Sequence, residues 1–90
     1  MIIVSQNKDM VVNFDNITRV YISQYEEKTA NFIRLETVDS IYDDLGQYET
    51  EERAKEVLQE IIHMYIESNT SNPSTGYGYV KNKVYEMPKK

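Results

Sequence analysis

The sequence predicts an α+β fold in which an antiparallel sheet of about five or six strands packs one face against a single C-terminal amphipathic helix, followed by a linker and a late strand. Three observations predict it. Residues 1–49 alternate runs rich in Ile, Val and Tyr with short polar turns. Residues 51–67 carry apolar side chains at helical spacing, and residues 77–87 return to strand-forming composition.

Three short strands are predicted in the first part of the chain, because β-branched and aromatic residues are separated there by residues that favour turns. The strands are expected at residues 1–5, 10–14 and 17–23. The connections between them, at residues 6–9 and at Asp15-Asn16, are short enough for antiparallel neighbours.

Two further strands are predicted before the helix. Apolar and polar side chains alternate over residues 30–38, as a half-buried strand requires. Phe32 lies on the polar side of this alternation, so we expect it either to fold over an edge of the sheet or to contact something beyond the core of its own chain. Residues 41–49 form the fifth predicted strand, in which Gly46 indicates a bulge or a close approach of two backbones.

The helix is predicted to begin after Thr50, a good N-cap residue, and to end near Glu67. Glu51 and Glu52 place negative charge at the positive end of the helix dipole. Apolar residues then recur at the spacing of a single helical stripe, namely Ala54, Val57, Leu58, Ile61, Ile62 and Tyr65. This stripe is expected to cover one face of the sheet.

The domain boundaries follow from a polar segment near the end of the chain. Residues 68–76 contain no apolar residue and include a proline and a glycine, so we expect a flexible linker there. It separates a single α+β domain, residues 1–67, from a C-terminal strand and tail, residues 77–90. Fourteen of the 15 acidic residues but six of the ten basic ones precede residue 77. The basic tail is therefore expected to pair with a sheet edge, in its own chain or in a partner.

The composition excludes several classes of protein. The chain has 90 residues, of which 40 % are hydrophobic, and it can bury one core. It contains no cysteine, so it has neither disulfides nor thiolate metal sites. A net charge of −5 argues against general attraction to nucleic acid or anionic lipid. Neither a basic leader nor an apolar run of about 20 residues is present, so we expect a cytoplasmic protein without membrane association.

Two groups of side chains could in principle support catalysis or metal binding, but both are better interpreted as solvated surface residues. Glu60, His63 and Glu67 have the spacing of half a di-metal site, but they lie on the polar face of the helix, and a second helix is missing. His63 is the only histidine, and no nucleophile turn accompanies it. A second group of acidic residues does not have the spacing of a calcium-binding loop. Its members are Glu36, Asp39, Asp43 and Asp44. We therefore expect no catalytic residue, no metal ligand and no cofactor.

Three segments resemble a group of small uncharacterised proteins that occur in Gram-positive bacteria, their prophages and their mobile elements. These segments are Met1 to Phe14 with Asn16-Ile17, Leu45 to Leu58, and Tyr85 to Pro88. The resemblance implies an association with mobile elements. It implies no activity, catalytic residue or ligand.

We interpret the protein as a noncatalytic protein-binding or adaptor module that self-associates. Aromatic residues on the sheet face that the helix does not cover favour a two-fold homodimer or another protein partner. The alternative is a nucleic-acid-associated accessory protein of a mobile element, whose tail stacks aromatic rings on bases. The candidate interaction residues are Tyr21 and Phe32, supported by Tyr25, and in the tail Tyr77, Tyr79, Lys81, Lys83 and Tyr85.

Overall fold

A computed structural model describes residues 1–24, 30–68 and 83–90. The elements in chain order are β1 (Ile2–Val4), β2 (Val11–Asn13), a 3-10 turn (Phe14–Asn16), β3 (Ile17–Gln24), β4 (Asn31–Thr37), β5 (Tyr42–Tyr48), α1 (Glu51–Ser68) and β6 (Val84–Glu86). The predicted α+β combination of an antiparallel sheet with an amphipathic helix is confirmed.

The prediction of one sheet with five or six strands is wrong, because the described strands form two sheets of three strands each. The large sheet has the order β3-β4-β5 and is antiparallel throughout. The small sheet has β1 at its centre, with β2 antiparallel and β6 parallel to it. The physical reason is the 3-10 turn, where the Asn13 side chain accepts a hydrogen bond from the Asp15 amide. This turn redirects the chain, so β2 and β3 do not pair.

The helix is not at the C-terminal end of the fold, because the late strand that was predicted after it is present as β6. β6 follows it and pairs in register with β1, with Ile3 opposite Tyr85. Ile3 is fully buried, and Tyr85 and Met87 are buried in the same core. The predicted linker lies almost wholly outside the described residues.

One core joins both sheets to α1. Ile33 and Leu35 alternate toward the helix along β4, as the period of two in a strand requires. They belong to the same cluster as Ala54, Val57 and Ile61 of the helix. The Thr50 hydroxyl caps α1 by accepting a hydrogen bond from the Arg53 amide at 3.0 Å, as predicted.

The apolar stripe of α1 is narrower than predicted. Ala54, Val57 and Ile61 are buried, whereas Ile62 is 44 % exposed. Successive residues of a helix point about 100° apart, so Ile62 lies about 120° from the centre of the face that Val57 and Ile61 share, which places it outside that face. Tyr65 is also exposed at one side, and its ring lies 4.9 Å from the ring of Phe14.

Candidate interaction surfaces

Arginine, tyrosine and acidic side chains form a network on the face of the large sheet that points away from α1. Arg19 donates two hydrogen bonds to the carboxylate of Glu36, at 3.0 Å from Nε and 2.7 Å from Nη2. The Tyr21 hydroxyl donates to the same carboxylate at 3.0 Å. Arg19 also lies over the Tyr21 ring, 4.6 Å from its centroid. The bonds from Arg19 and Tyr21 lower the pKa of Glu36 below its usual range.

A second unit of this network lies beside the first, because Arg34 is the partner of Tyr21 in the β3–β4 register. Arg34 donates from Nε to Asp44 at 2.8 Å, and its guanidinium lies 4.4 Å from the centroid of the Tyr42 ring. Only 8 % of Arg34 is exposed, whereas Tyr42 is 55 % exposed. The hydrogen bond to Asp44 raises the pKa of Arg34, so the guanidinium of Arg34 stays protonated. The sheet-face network is defined as Arg19, Tyr21, Arg34, Glu36, Tyr42 and Asp44.

Two of the predicted aromatic residues, Tyr21 and Phe32, lie on this face, but charged side chains lie there as well. Tyr21 is half-buried within the network, and Phe32 is half-buried opposite Ser23 and Gln47. The contribution of Arg19, Arg34 and Tyr42 to this face was not predicted from the sequence. The strand period contained a signal, since Arg34 has the same parity as Phe32 and must point to the same side.

Two candidate residues of the tail are engaged within the fold. Tyr85 is buried, and its hydroxyl donates to Glu60 at 2.5 Å. Burial first, and then the bond to Glu60, raise the pKa of Tyr85. The Lys83 ammonium lies 2.9 Å from Glu67 and lowers the pKa of that carboxyl. The remaining candidates, Tyr25, Tyr77, Tyr79 and Lys81, lie outside the described residues.

The backbone of residues 83–90 is held along its whole length by a set of groups that we name the tail cradle. Its members are Ile2, Val4, Gln6, Tyr48 and Arg53. The bonds are Ile2 N–H to the Lys83 carbonyl at 2.9 Å, Met87 N–H to the Val4 carbonyl at 3.0 Å, Tyr48 hydroxyl to the Pro88 carbonyl at 2.8 Å, Gln6 amide to the Lys89 carbonyl at 2.8 Å and Arg53 Nε to the Lys90 carbonyl at 3.0 Å. Burial raises the pKa of Tyr48 to about 12, so this phenol keeps its proton at neutral pH.

Gln6 connects the small sheet, the large sheet and the tail. Its side-chain amide exchanges two hydrogen bonds with the backbone of Gln47 at the edge of β5, at 2.8 and 2.9 Å. Gly46 makes this approach possible, since a Cβ at that position would lie 3.1 Å from the Cβ of Gln6. The prediction of a bulge or close approach at Gly46 is confirmed, because the β4–β5 register also shifts between Ile33 and Arg34. Gln6 itself was assigned only to a loop, because its partners lie about 40 or more residues away.

The helix residues with metal-like spacing are occupied by other contacts. Glu60 accepts from Tyr85, Glu67 binds Lys83, and the exposed His63 ring lies 3.6 Å from Glu67. In the acidic group of the sheet, Glu36 and Asp44 each bind an arginine. Within residues 1–24, 30–68 and 83–90, no three His, Cys, Asp or Glu side chains are grouped so that they could hold a metal ion.

An open cleft of about 440 Å³ lies between the start of α1 and the end of the tail. Its lining residues are Gln47, Tyr48, Glu49, Thr50, Arg53, Lys89 and Lys90. Arg53 and Tyr48 already bind the tail backbone. The cleft is therefore part of the site that binds the tail.

The chain matches no protein-family model, no curated protein and no solved structure. In the part of the chain that the structure describes, no helix combines the length and the apolar character needed to cross a bilayer. The resemblance to small proteins of mobile elements stays a prediction.

Proposed function

We propose that the protein is a noncatalytic protein-binding module that self-associates through the sheet-face network. The observation that carries this proposal is the exposed Tyr42 ring, which packs on a buried Arg34 that Asp44 holds in place. Tyrosine and arginine are enriched among the residues that dominate protein interfaces. Their positions here are restrained by ion pairs and by a strand, so binding would cost little side-chain entropy.

A second copy of the chain is the partner that the charges favour. The network contains two arginines and two carboxylates, so it is close to neutral in a chain with a net charge of −5. Two copies would repel each other less here than across other, more acidic surface. An arginine of one copy can also approach a carboxylate of the other across a two-fold axis, where the same patch meets itself.

The perturbed pKa values support a noncatalytic function. The lowered values belong to Glu36 and Glu67, which bind arginine and lysine in ion pairs. The raised tyrosine values belong to Tyr48 and Tyr85, whose hydroxyls bind Pro88 and Glu60 inside the fold. Each of these shifts has a structural cause, so none of the four marks a poised acid or base in the part of the chain that the structure describes.

The test replaces Tyr42 with glutamate and measures the mass in solution by light scattering over about 1 to 200 µM. Truncating or charging a central interface residue costs at least about 2 kcal/mol, so the dimer should weaken on the order of 30-fold. Ile62→Glu is the matched control, because it adds the same charge at a partly exposed position on the other side of the molecule. A wild-type mass of 10.6 kDa at every concentration, or equal weakening by both variants, would contradict the proposal.

The nucleic-acid alternative is a weaker proposal. Lys89 and Lys90 are exposed, which favours it. Lys83 and Tyr85 are bound to Glu67 and Glu60, so the tail would have to use its other residues. Binding of a labelled oligonucleotide that weakens steeply with salt would support this alternative, whereas no binding at low salt would exclude it.

A further inference from the structure

The tail cradle holds an extended peptide as a strand-addition site holds its ligand. Residues 84–86 pair in parallel with β1, and hydrogen bonds continue beyond the strand to the carbonyl groups of Pro88, Lys89 and Lys90. Main-chain bonds of this kind supply affinity, and pockets for alternate side chains supply selectivity. Tyr85 and Met87 are the buried alternate residues, whereas Val84 and Glu86 point outward.

Every group that receives this peptide belongs to the body of the chain. Ile2, Gln6 and Tyr48 bind its backbone, and the body also supplies the carboxylates of Glu60 and Glu67 for Tyr85 and Lys83. A second copy of the body presents the same groups. The tail of one chain can therefore make all of these contacts on another chain without loss.

The length of chain between helix and tail permits this transfer. Residues 69–82 number fourteen, and an extended chain of that length spans up to about 45 to 50 Å. The ends of this segment need far less, because the Lys83 side chain contacts Glu67 in the last turn of α1. A connection much longer than the gap it closes can reach a neighbouring molecule.

We propose that residues 83–90 exchange between two copies, so that β6 of each chain pairs with β1 of the other. The partner of the tail cradle is then a second copy of this chain. The exchange uses the small sheet and does not involve the sheet-face network, so it is independent of the function proposed above. Covalent linkage through fourteen residues gives the tail an effective concentration on the order of mM at its own cradle, so exchange becomes extensive only near that protein concentration.

The test uses single cysteines, since the chain has none of its own. Ile2 and Val84 are partners in the β1–β6 register and are 39 % and 57 % exposed, so Ile2→Cys and Val84→Cys should fold. Neighbouring strands lie about 4.8 Å apart, which suits a disulfide. The two variants are mixed, unfolded, refolded together at about 10 µM or 1 mM, and oxidised. We expect a disulfide-linked heterodimer whose yield rises roughly tenfold or more with concentration.

Two controls make the result decisive. Val38→Cys replaces Ile2→Cys in a parallel mixture, because Val38 is 84 % exposed and follows β4 of the large sheet, whereas β6 belongs to the small sheet. A chain carrying both Ile2→Cys and Val84→Cys must close internally when oxidised at low concentration. Heterodimer no more abundant than in the Val38 mixture, or a double variant that fails to close, would overturn the exchange. Tyr42→Glu in both cysteine chains should leave the yield of disulfide-linked heterodimer unchanged. Loss of the sheet-face dimer can therefore be distinguished from loss of tail exchange.

Discussion

Gly46 lies against the side chain that joins the two sheets. A Cβ built on Gly46 would lie 3.1 Å from the Cβ of Gln6 and 3.2 Å from the Tyr48 hydroxyl, closer than ordinary van der Waals contact. The amide of Gln6 in turn binds Gln47 and Lys89. Because glycine has no side chain, Gly46 leaves room for Gln6 to bind the edge of β5 and the tail at the same time.

Gly46→Ala should destabilise the protein by about 1 to 2 kcal/mol, because the added methyl group forces Gln6 or Tyr48 to move. Urea unfolding followed by circular dichroism measures the change. In a Gln6→Gly background the same substitution should cost clearly less, since the Cβ and Oε1 atoms of Gln6 that crowd the new methyl group are then gone. An equal cost in both backgrounds would show that Gln6 is not the obstacle.

At the scale of elements, β6 is tied to α1 through a buried phenol. Tyr85 donates to Glu60 from within the core, and burial raises its pKa, as it raises that of Tyr48 to about 12. In the unfolded chain a tyrosine ionises near pH 10. The unfolded state therefore loses these protons first, so their contribution to stability is complete below about pH 10 and declines as the pH rises toward 12 and beyond.

Tyr85→Phe should flatten this alkaline decline, because one of the two shifted phenols is removed. The free energy of unfolding is measured between about pH 9 and 11.5. Tyr42→Phe is the matched control, since it removes an exposed hydroxyl from the sheet face and should retain the steep decline. Parallel curves for Tyr85→Phe and the wild type would contradict the role given to Tyr85.

The elements themselves could be predicted because their signals are local. Thr50 caps α1 as expected, and the helix ends at Ser68, one residue beyond the prediction. Ile33 and Leu35 face the core because alternation along a strand decides it. The partition into two sheets could not be predicted, since β1 and β6 lie at opposite ends of the chain. No local pattern specifies a pairing whose energy depends on distant partners.

The candidate surfaces, like the fold, could be predicted only where a local pattern decides the position of a residue. Phe32 was placed on the outer face by its parity, and it lies there. The interleaving of arginine with tyrosine depends on which residues become neighbours across strands, as for Arg34 and Tyr42, and this needs the register of β4 and β5. Gln6 carried no signal, because its side chain bonds only to distant backbone groups.

At the scale of the whole molecule, the two ends of the described chain build one structure. Met1 and Ile3 share a core with Tyr85 and Met87, and this core continues to Ile61 of the helix. A basic tail on an acidic body is favoured electrostatically, as the contact between Lys83 and Glu67 illustrates. The final segment of the chain is therefore an integral strand of the fold.

Amide hydrogen exchange followed by NMR measures whether this strand is formed in solution. The Ile2 amide binds the Lys83 carbonyl and the Met87 amide binds the Val4 carbonyl, so both should exchange as slowly as the amides in the centre of β4. Exchange of Ile2 and Met87 at the rate of an unstructured peptide, while β4 stays protected, would show that the last residues do not complete the small sheet.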